Sequence, residues 1–338
     1  MQTIQIRLTK ELVNKSQKLV DRGLYSNKSE VFRDAIRRLT FNEELTLDNK
    51  RNFNIIFTAD LHGNVQQYNK LFQKAYSDCT DAIIIGGDIA PKDPKNRTIK
   101  GQKTFLEKEL FPRIKEFNNN NKKRQHSCPI YIMLGNDDYR SNIPLLKKNE
   151  KTIGFIPIHN KCIKLHEDFK IAGYSYVPLT PFVHKDWEKL DLSDETETKL
   201  RKDIRLNGNK ARGNGFVDVK FNLKCRKSTI EKDLKKLLRS SSEKILLVSH
   251  APPHNTVLDM INAYTHVGSA AIRKLIEEKQ PFMTLHGHIH ETVDVSGNFK
   301  STIGKTISVC SGNDHRYDSL AIIKFNLYNP EKAIRELI

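Results

Sequence analysis

The chain is short of cysteine. Its five, Cys79, Cys128, Cys162, Cys225 and Cys310, are odd in number, widely spaced and never arranged as Cys-x-x-Cys. That predicts reduced thiols in a reducing compartment and argues against a disulfide framework. No apolar run reaches membrane-spanning length and no signal-peptide pattern opens the chain, so a soluble, cytoplasmic protein with no membrane partner is expected. Gly304-Lys305-Thr306 ends like a phosphate-binding loop, but Phe299 stands where that loop needs its first glycine. Neither Gly-x-Gly-x-x-Gly nor Gly-x-Ser-x-Gly occurs, which removes dinucleotide-binding and serine-hydrolase readings. Acidic residues are also scarce: 40 Asp and Glu stand against 57 Lys and Arg in 338 residues, a net charge of +17.

Residues 201–250 hold 14 of those cations against 5 acids, whereas the first 50 residues hold 10 against 7. A basic segment of this kind raises the local concentration of polyanions. It is equally the composition of a solvated helix, here over Ser228 to Leu238 with Ser228 and Glu231 as a capping box.

Strand-like apolar runs that end in metal-binding side chains dominate the rest. Asn54 to Thr58 run into Asp60-Leu61-His62-Gly63-Asn64, and Ala82 to Ile85 into Gly86-Gly87-Asp88. Pro129 to Leu134 run into Gly135-Asn136-Asp137-Asp138, Ile245 to Ser249 into His250, and Phe282 to Leu285 into His286-Gly287-His288-Ile289-His290. Turns leaving the carboxyl ends of strands face the crevice where open α/β sheets hold ligands. Carboxylate, amide oxygen and imidazole together suit Mn, Fe and Zn. Five such turns predict a dinuclear centre along one sheet edge.

In order and content this series resembles the calcineurin-like metallophosphoesterase superfamily over roughly residues 53–325. Ser249 to Asn255, Val267-Gly268-Ser269 and Leu285 to Glu291 further resemble its Icc-like branch. The resemblance implies an α+β fold, a four-layer αββα sandwich, and two divalent ions, Mn²⁺ foremost with Fe or Zn as alternatives. It implies one ion held by Asp60, His62 and His290, the other by Asn136, His250 and His288, and Asp88 bridging them. Two such ions clamp phosphoryl oxygens and acidify water. His286 fits no motif position and is expected to support a ligand rather than be one.

One position departs from the pattern. The superfamily has His after Gly-Asn, and this chain has Asp137, with Asp138 in the place of the acid that orients that His. An ionised Asp137 would repel phosphate unless burial or a neighbouring carboxylate kept it protonated. The catalytic expectation is therefore Asn136 together with Asp137, the latter either a protonated acid or an empty role, with His254 and His286 as alternative proton donors.

The first 45 residues differ in character. Thr3 to Leu8 alternate as a strand, a helix follows from Thr9 to Arg22, and Ser26 or Asn27 caps a second with Val31, Phe32, Ala35, Ile36 and Leu39 on one face. One strand and two helices cannot close a core without a partner. This segment resembles the ribbon-helix-helix (CopG/Arc/MetJ-type) regulators, in which paired strands lie in the major groove. The resemblance implies a homodimer on double-stranded DNA, with Thr3, Gln5 and Arg7 facing bases and the amides around Asn27, Lys28 and Ser29 taking a phosphate.

The expected organisation is a ribbon-helix-helix domain over 1–45, a linker over 46–52, and a phosphoesterase domain over 53–338 with a basic insertion at about 183–243. Thr104 to Phe117 read as a helix and Asn118 to Arg124 as a polar loop. The expected function is a metal-dependent phosphodiesterase acting on nucleic acid or nucleotides. The alternative is a regulator that senses a phosphorylated ligand without turnover.

Overall fold

Residues 9–22, 25–36, 52–93, 95, 97–194, 200–225, 227–239, 244–262 and 265–338 are described by the structure, a computed structural model. It divides into two units, Met1–Asn52 and Phe53–Ile338.

In the first unit, helix α1 (Lys10–Asp21) is capped by Thr9, whose hydroxyl accepts the Leu12 amide at 3.4 Å. Helix α2 (28–36) takes Asn27 as its cap: the Asn27 side chain accepts the Glu30 amide at 3.0 Å, and the Glu30 carboxylate reaches back to the Ser26 amide at 2.9 Å. Lys28 and Ser29 are exposed at that helix start. The expected strand, with Thr3, Gln5 and Arg7, and most of the linker lie outside the described residues.

The second unit is built on two six-stranded sheets. In the first, β1 (Asn54–Thr58) runs parallel to β2 (Ala82–Ile85), which is followed by β3 (Ile130–Ile132) and β4 (Ile156–Pro157), also parallel. In the second, β6 (Phe169–Tyr174) pairs with the antiparallel edge strand β5 (Lys161–His166). Strands β9 (Lys244–Ser249), β12 (Met283–His286) and β14 (Thr306–Cys310) continue that sheet in parallel, with antiparallel β13 (Lys300–Ile303) at its far edge. The short pair β10 (Met260–Asn262) and β11 (Thr265–His266) lies outside both sheets.

Alternation along each strand builds the layers. Ile55, Phe57, Ile84 and Met133 of one sheet pack against Ile171, Leu246, Val248 and Leu285 of the other. Their sequence neighbours Ile56, Ile83 and Ile85 turn to the helical side, where Tyr68, Leu71 and Phe72 of α3 (Val65–Ser77) await them. Residues at i and i+2 share a face, so one five-residue run serves two cores. Behind the second sheet, Ile230 and Leu234 of α7 (Ile230–Leu237) and Ile272 and Ile276 of α8 (Ala270–Lys279) close the fourth layer. The fold is thus mixed α/β with parallel sheet cores.

Several local expectations are corrected. Asn118 to Lys123 are not a loop but the end of helix α5 (Phe111–Lys123). Asn118 donates to the carbonyls of Ile153 and Gly154 at 3.0 and 2.8 Å, and Asn121 is buried. Helix α4 (Ile99–Phe105) passes into α5 through a π-helical stretch, Leu106–Leu110. The cap of α7 is Thr229, accepting the Lys232 amide at 3.2 Å, rather than Ser228. The basic insertion contains an antiparallel hairpin, β7 (Asn207–Arg212) with β8 (Gly215–Lys220), while α7 belongs to the core.

Candidate metal centre

The turns after β1, β2, β3, β9 and β12 converge at one end of the paired sheets. Backbone pairing continues past the strands: Asp60 donates to the Gly87 carbonyl at 3.0 Å and His62 to the Asp88 carbonyl at 2.8 Å. Asp60, His62, Asp88 and His288 all adopt left-handed backbone, with φ of 60, 43, 51 and 72°. For residues other than glycine such conformations cost about 1–3 kcal/mol each and persist where the surroundings impose them. A β-carbon at Gly135 would lie 2.3 Å from Asp88 Oδ1 and 2.4 Å from its backbone nitrogen, so only glycine lets the third turn approach the second.

Asp88 lies between two groups of donors. Its Oδ2 is 3.5 Å from His62 Nε2 and 3.3 Å from His250 Nε2, while its Oδ1 accepts the Asp137 amide at 2.8 Å. On one side His62 Nε2 and His290 Nε2 approach to 3.1 Å, with Asp60 Oδ1 3.9 Å from His290 Nε2. On the other, Asn136 Oδ1 lies 3.0 Å from His250 Nε2 and 2.6 Å from His288 Nδ1. All seven residues predicted from the sequence are brought together. Asp60, His62, Asp88 and His290 can place one donor atom each within 4.8 Å of one another.

Four of the seven donors, His62, Asp88, His288 and His290, are held in the protonation state a cation needs. Burial, reinforced by neighbouring imidazoles and Lys92 and opposed by Asp88, depresses His288 and His290 to about 3 and His62 well below its ordinary value, leaving neutral rings with free lone pairs. Asp88 is drawn well below the carboxylate range: burial would raise it, but His250 and His62 outweigh that. His250 moves the other way, to about 9, because Asp88 and Asp60 more than offset its burial. Its Nδ1 lies 2.9 Å from the Gly86 carbonyl, which directs Nε2 inward. These donors fit a pair of divalent ions: buried carboxylates and imidazoles crowd at contact distance around Asp88, an arrangement whose desolvation an ion would offset.

His286 is not among the donors. Its Nδ1 lies 3.0 and 2.9 Å from the Ser249 and Ala251 carbonyls and its Nε2 2.7 Å from the Thr284 hydroxyl, so it braces the turn that carries His250. His254 lies 3.4 Å from Asp259 and does not line the cleft, so neither alternative proton donor is placed for that role.

Asp137 has an environment the sequence did not suggest. Lys92 Nζ lies 2.9 Å and an Arg97 nitrogen 2.7 Å from its two oxygens. These two cations answer the expected repulsion of phosphate. Asp138 is fully buried and accepts the amides of Ile89, Ala90 and Gly135 at 3.0, 2.9 and 2.8 Å. It ties the second turn to the third rather than orienting a catalytic imidazole.

A cleft of about 1370 Å³ opens over the centre. Its cations are Lys92, Lys100, Lys108, Arg201 and Arg316, and Leu179, Pro181 and Phe182 form an apolar wall. Of the cations described between 201 and 250, only Arg201 reaches it, so the positive lining comes chiefly from the 92–108 stretch. Lys92, Arg97 and His315 belong to no recognised spacing. Only their place in the folded chain identifies Lys92 and Arg97.

Fold and donor cluster together point to one family of phosphoesterases. The model of the calcineurin-like phosphoesterase family matches residues 53–292, and the chain belongs to that family. Uncharacterized protein MJ1162 of Methanocaldococcus jannaschii is 47% identical over 60 residues, which are 16% of this chain and 28% of that protein. The chain thus spans little more than a quarter of the curated relative it matches. Among solved structures, TT1561 of Thermus thermophilus is similar over 85% of this chain and 99% of its own, at 13% identity and a TM-score of 0.52, a likeness of fold. A dimetal phosphatase from Danio rerio aligns over 85% and 96%, at 12% identity and a TM-score of 0.47.

Proposed function

We propose that the Phe53–Ile338 unit is a dinuclear phosphodiesterase for nucleotide or nucleic-acid substrates, and that the first unit dimerises the chain and docks it on DNA. The observation that carries the enzymatic reading is the position of Asp88, one oxygen of which faces both His62 and His250. Asp60, His62 and His290 would hold one ion, Asn136, His250 and His288 the other, and Asp88 both. Bound there, two divalent ions, Mn²⁺ foremost, supply Lewis acidity to the phosphoryl oxygens and acidify water for attack on phosphorus.

The chain's own residues orient and select. Lys92 lines the cleft beside Asp88 and presents an ammonium to the non-bridging or departing oxygen of a phosphate. Asp137 holds that ammonium in place and is itself held by Arg97. No imidazole stands at the position after Asn136, so departure of the leaving group relies on charge stabilisation. That favours diesters with acidic leaving groups. The cationic, partly apolar cleft suits a base or sugar attached to the phosphate.

The DNA reading rests on the resemblance of the first 45 residues together with two capped helices that, among the described residues, leave Leu12 and Ile36 about half exposed, at 49% and 50%. A sensor without turnover is the second reading, favoured by Asp137 in the place of His. Purified protein with Mn²⁺ and paired aryl phosphate mono- and diesters, with His250→Ala as control, tests both. Metal-dependent diester turnover lost in the control is expected. No metal-dependent turnover of either ester would favour the sensor.

A further inference from the structure

The loop after β14 brings a third imidazole to the Asp60 side of the centre. The His315 ring lies 4.3 Å from the His62 ring and 5.3 Å from the His290 ring, centre to centre. Each of the three can place a ring nitrogen within 4.8 Å of the others. His315 Nδ1 is buried with no hydrogen-bond partner among the described residues. A buried polar atom left so is uncommon, and an absent ion is one of the standard reasons.

The loop is built rather than draped. Asn64 and Gln67, at the start of the helix that follows Asp60-Leu61-His62, reach across to it. Asn64 Nδ2 donates to the His315 carbonyl at 3.0 Å, and Gln67 Nε2 to the carbonyls of Asp314 and Ser319 at 3.0 and 2.8 Å. Asn313, fully buried, donates to the Asp60 carbonyl at 3.1 Å. The turn that carries Asp60 and His62 therefore also fixes the backbone of His315.

We propose that His315 is a third imidazole ligand of the ion held by Asp60, His62 and His290. This rests on the dinuclear reading and deepens it. The two ions become unequal: three imidazoles face the Asp60 side, against two and an amide oxygen on the Asn136 side. More nitrogen donors strengthen binding of Fe, Zn and Mn alike and disfavour Mg. The Asp60 side becomes the tighter site.

Metal-free full-length protein is titrated with Mn²⁺ alone, and free Mn²⁺ is followed by electron paramagnetic resonance. The expected result is two classes of site, the tighter weakened roughly 10–100-fold in both His315→Ala and His315→Gln, the looser unchanged. His250→Ala weakens the looser class instead. In Co²⁺-loaded protein, paramagnetically shifted proton resonances lose one imidazole in each His315 variant. Two variants of unchanged melting temperature that keep wild-type affinity at both sites overturn the assignment, and a rise in KM alone would move His315 to substrate contact. Wild-type protein that binds no Mn²⁺ overturns the dinuclear reading itself, and the His315 assignment with it.

Discussion

The Asp137 carboxylate is shared between the Lys92 ammonium at 2.9 Å and the Arg97 guanidinium at 2.7 Å. Asp137 is nearly buried, whereas a third of each cation's side chain reaches solvent, that of Lys92 at the cleft. The carboxylate is the anchor and Lys92 the group that meets substrate. Lys92→Ala is expected to lower kcat toward an aryl diester on the order of 10²-fold, as loss of a charge-stabilising donor does. Asp137→Asn, which leaves Lys92 present but less fixed, should cost far less. Steady-state kinetics of both variants decide this, and a larger loss in Asp137→Asn would return the catalytic role to Asp137.

Without an imidazole after Asn136, the rate should depend steeply on the leaving group. A series of aryl diesters of increasing phenol pKa measures that slope. Asp137→His should flatten it, because the new ring can share a proton with the departing oxygen. Equal slopes in both proteins would show that proton donation is not what the position controls.

Asp138 holds three backbone amides from two turns. Asp138→Ala leaves those amides buried and unpaired, costing about 2–4 kcal/mol. The unit should melt several degrees lower, by roughly 2–4 °C per kcal/mol, and bind Mn²⁺ more weakly. Calorimetry and metal titration check the two effects.

Two histidines, His286 buried and His159 half-buried, set an acid limit. Burial lowers His286 and His159 to about 4 from an ordinary 6.5. A depressed value means that the unfolded chain takes up the proton first. The stability each contributes, roughly 3 kcal/mol, is therefore present above pH 6.5 and lost as pH falls toward 4. Urea midpoints measured across that window should drop, and His159→Gln should make the drop shallower.

A chain lacking residues 1–45 should keep diester turnover per subunit and become monomeric. Sedimentation of both forms tests the dimer. Duplex binding by the full chain should weaken steeply with salt and with Arg7→Ala. Undiminished binding in the shortened form would place DNA contacts in the second unit.

The metal donors were readable because each follows an apolar strand within a few residues, so local pattern and final position coincide. His290 meets His62 across 228 positions, yet each is announced by its own strand. Lys92 and Arg97 have no such herald: the carboxylate they share comes from a turn distant in sequence. Asn118 to Lys123 misled for the opposite reason. Asparagine favours turns by itself, but the Ile153 and Gly154 carbonyls occupy Asn118, and tertiary contact overrides propensity. The positive-φ backbone at Asp60, His62, Asp88 and His288 was equally silent, since none is glycine.

Neither proposed ion belongs to one sheet. Asp60, His62 and Asn136 leave the first sheet, and His250, His288 and His290 the second, so each set of donors is complete only across the seam of Phe57, Val248 and Leu285. A half-assembled chain therefore has no place for cations, and loading must wait until the layers meet. Once loaded, the ions would act as rivets between the halves, and chelation should loosen the whole sandwich rather than one loop.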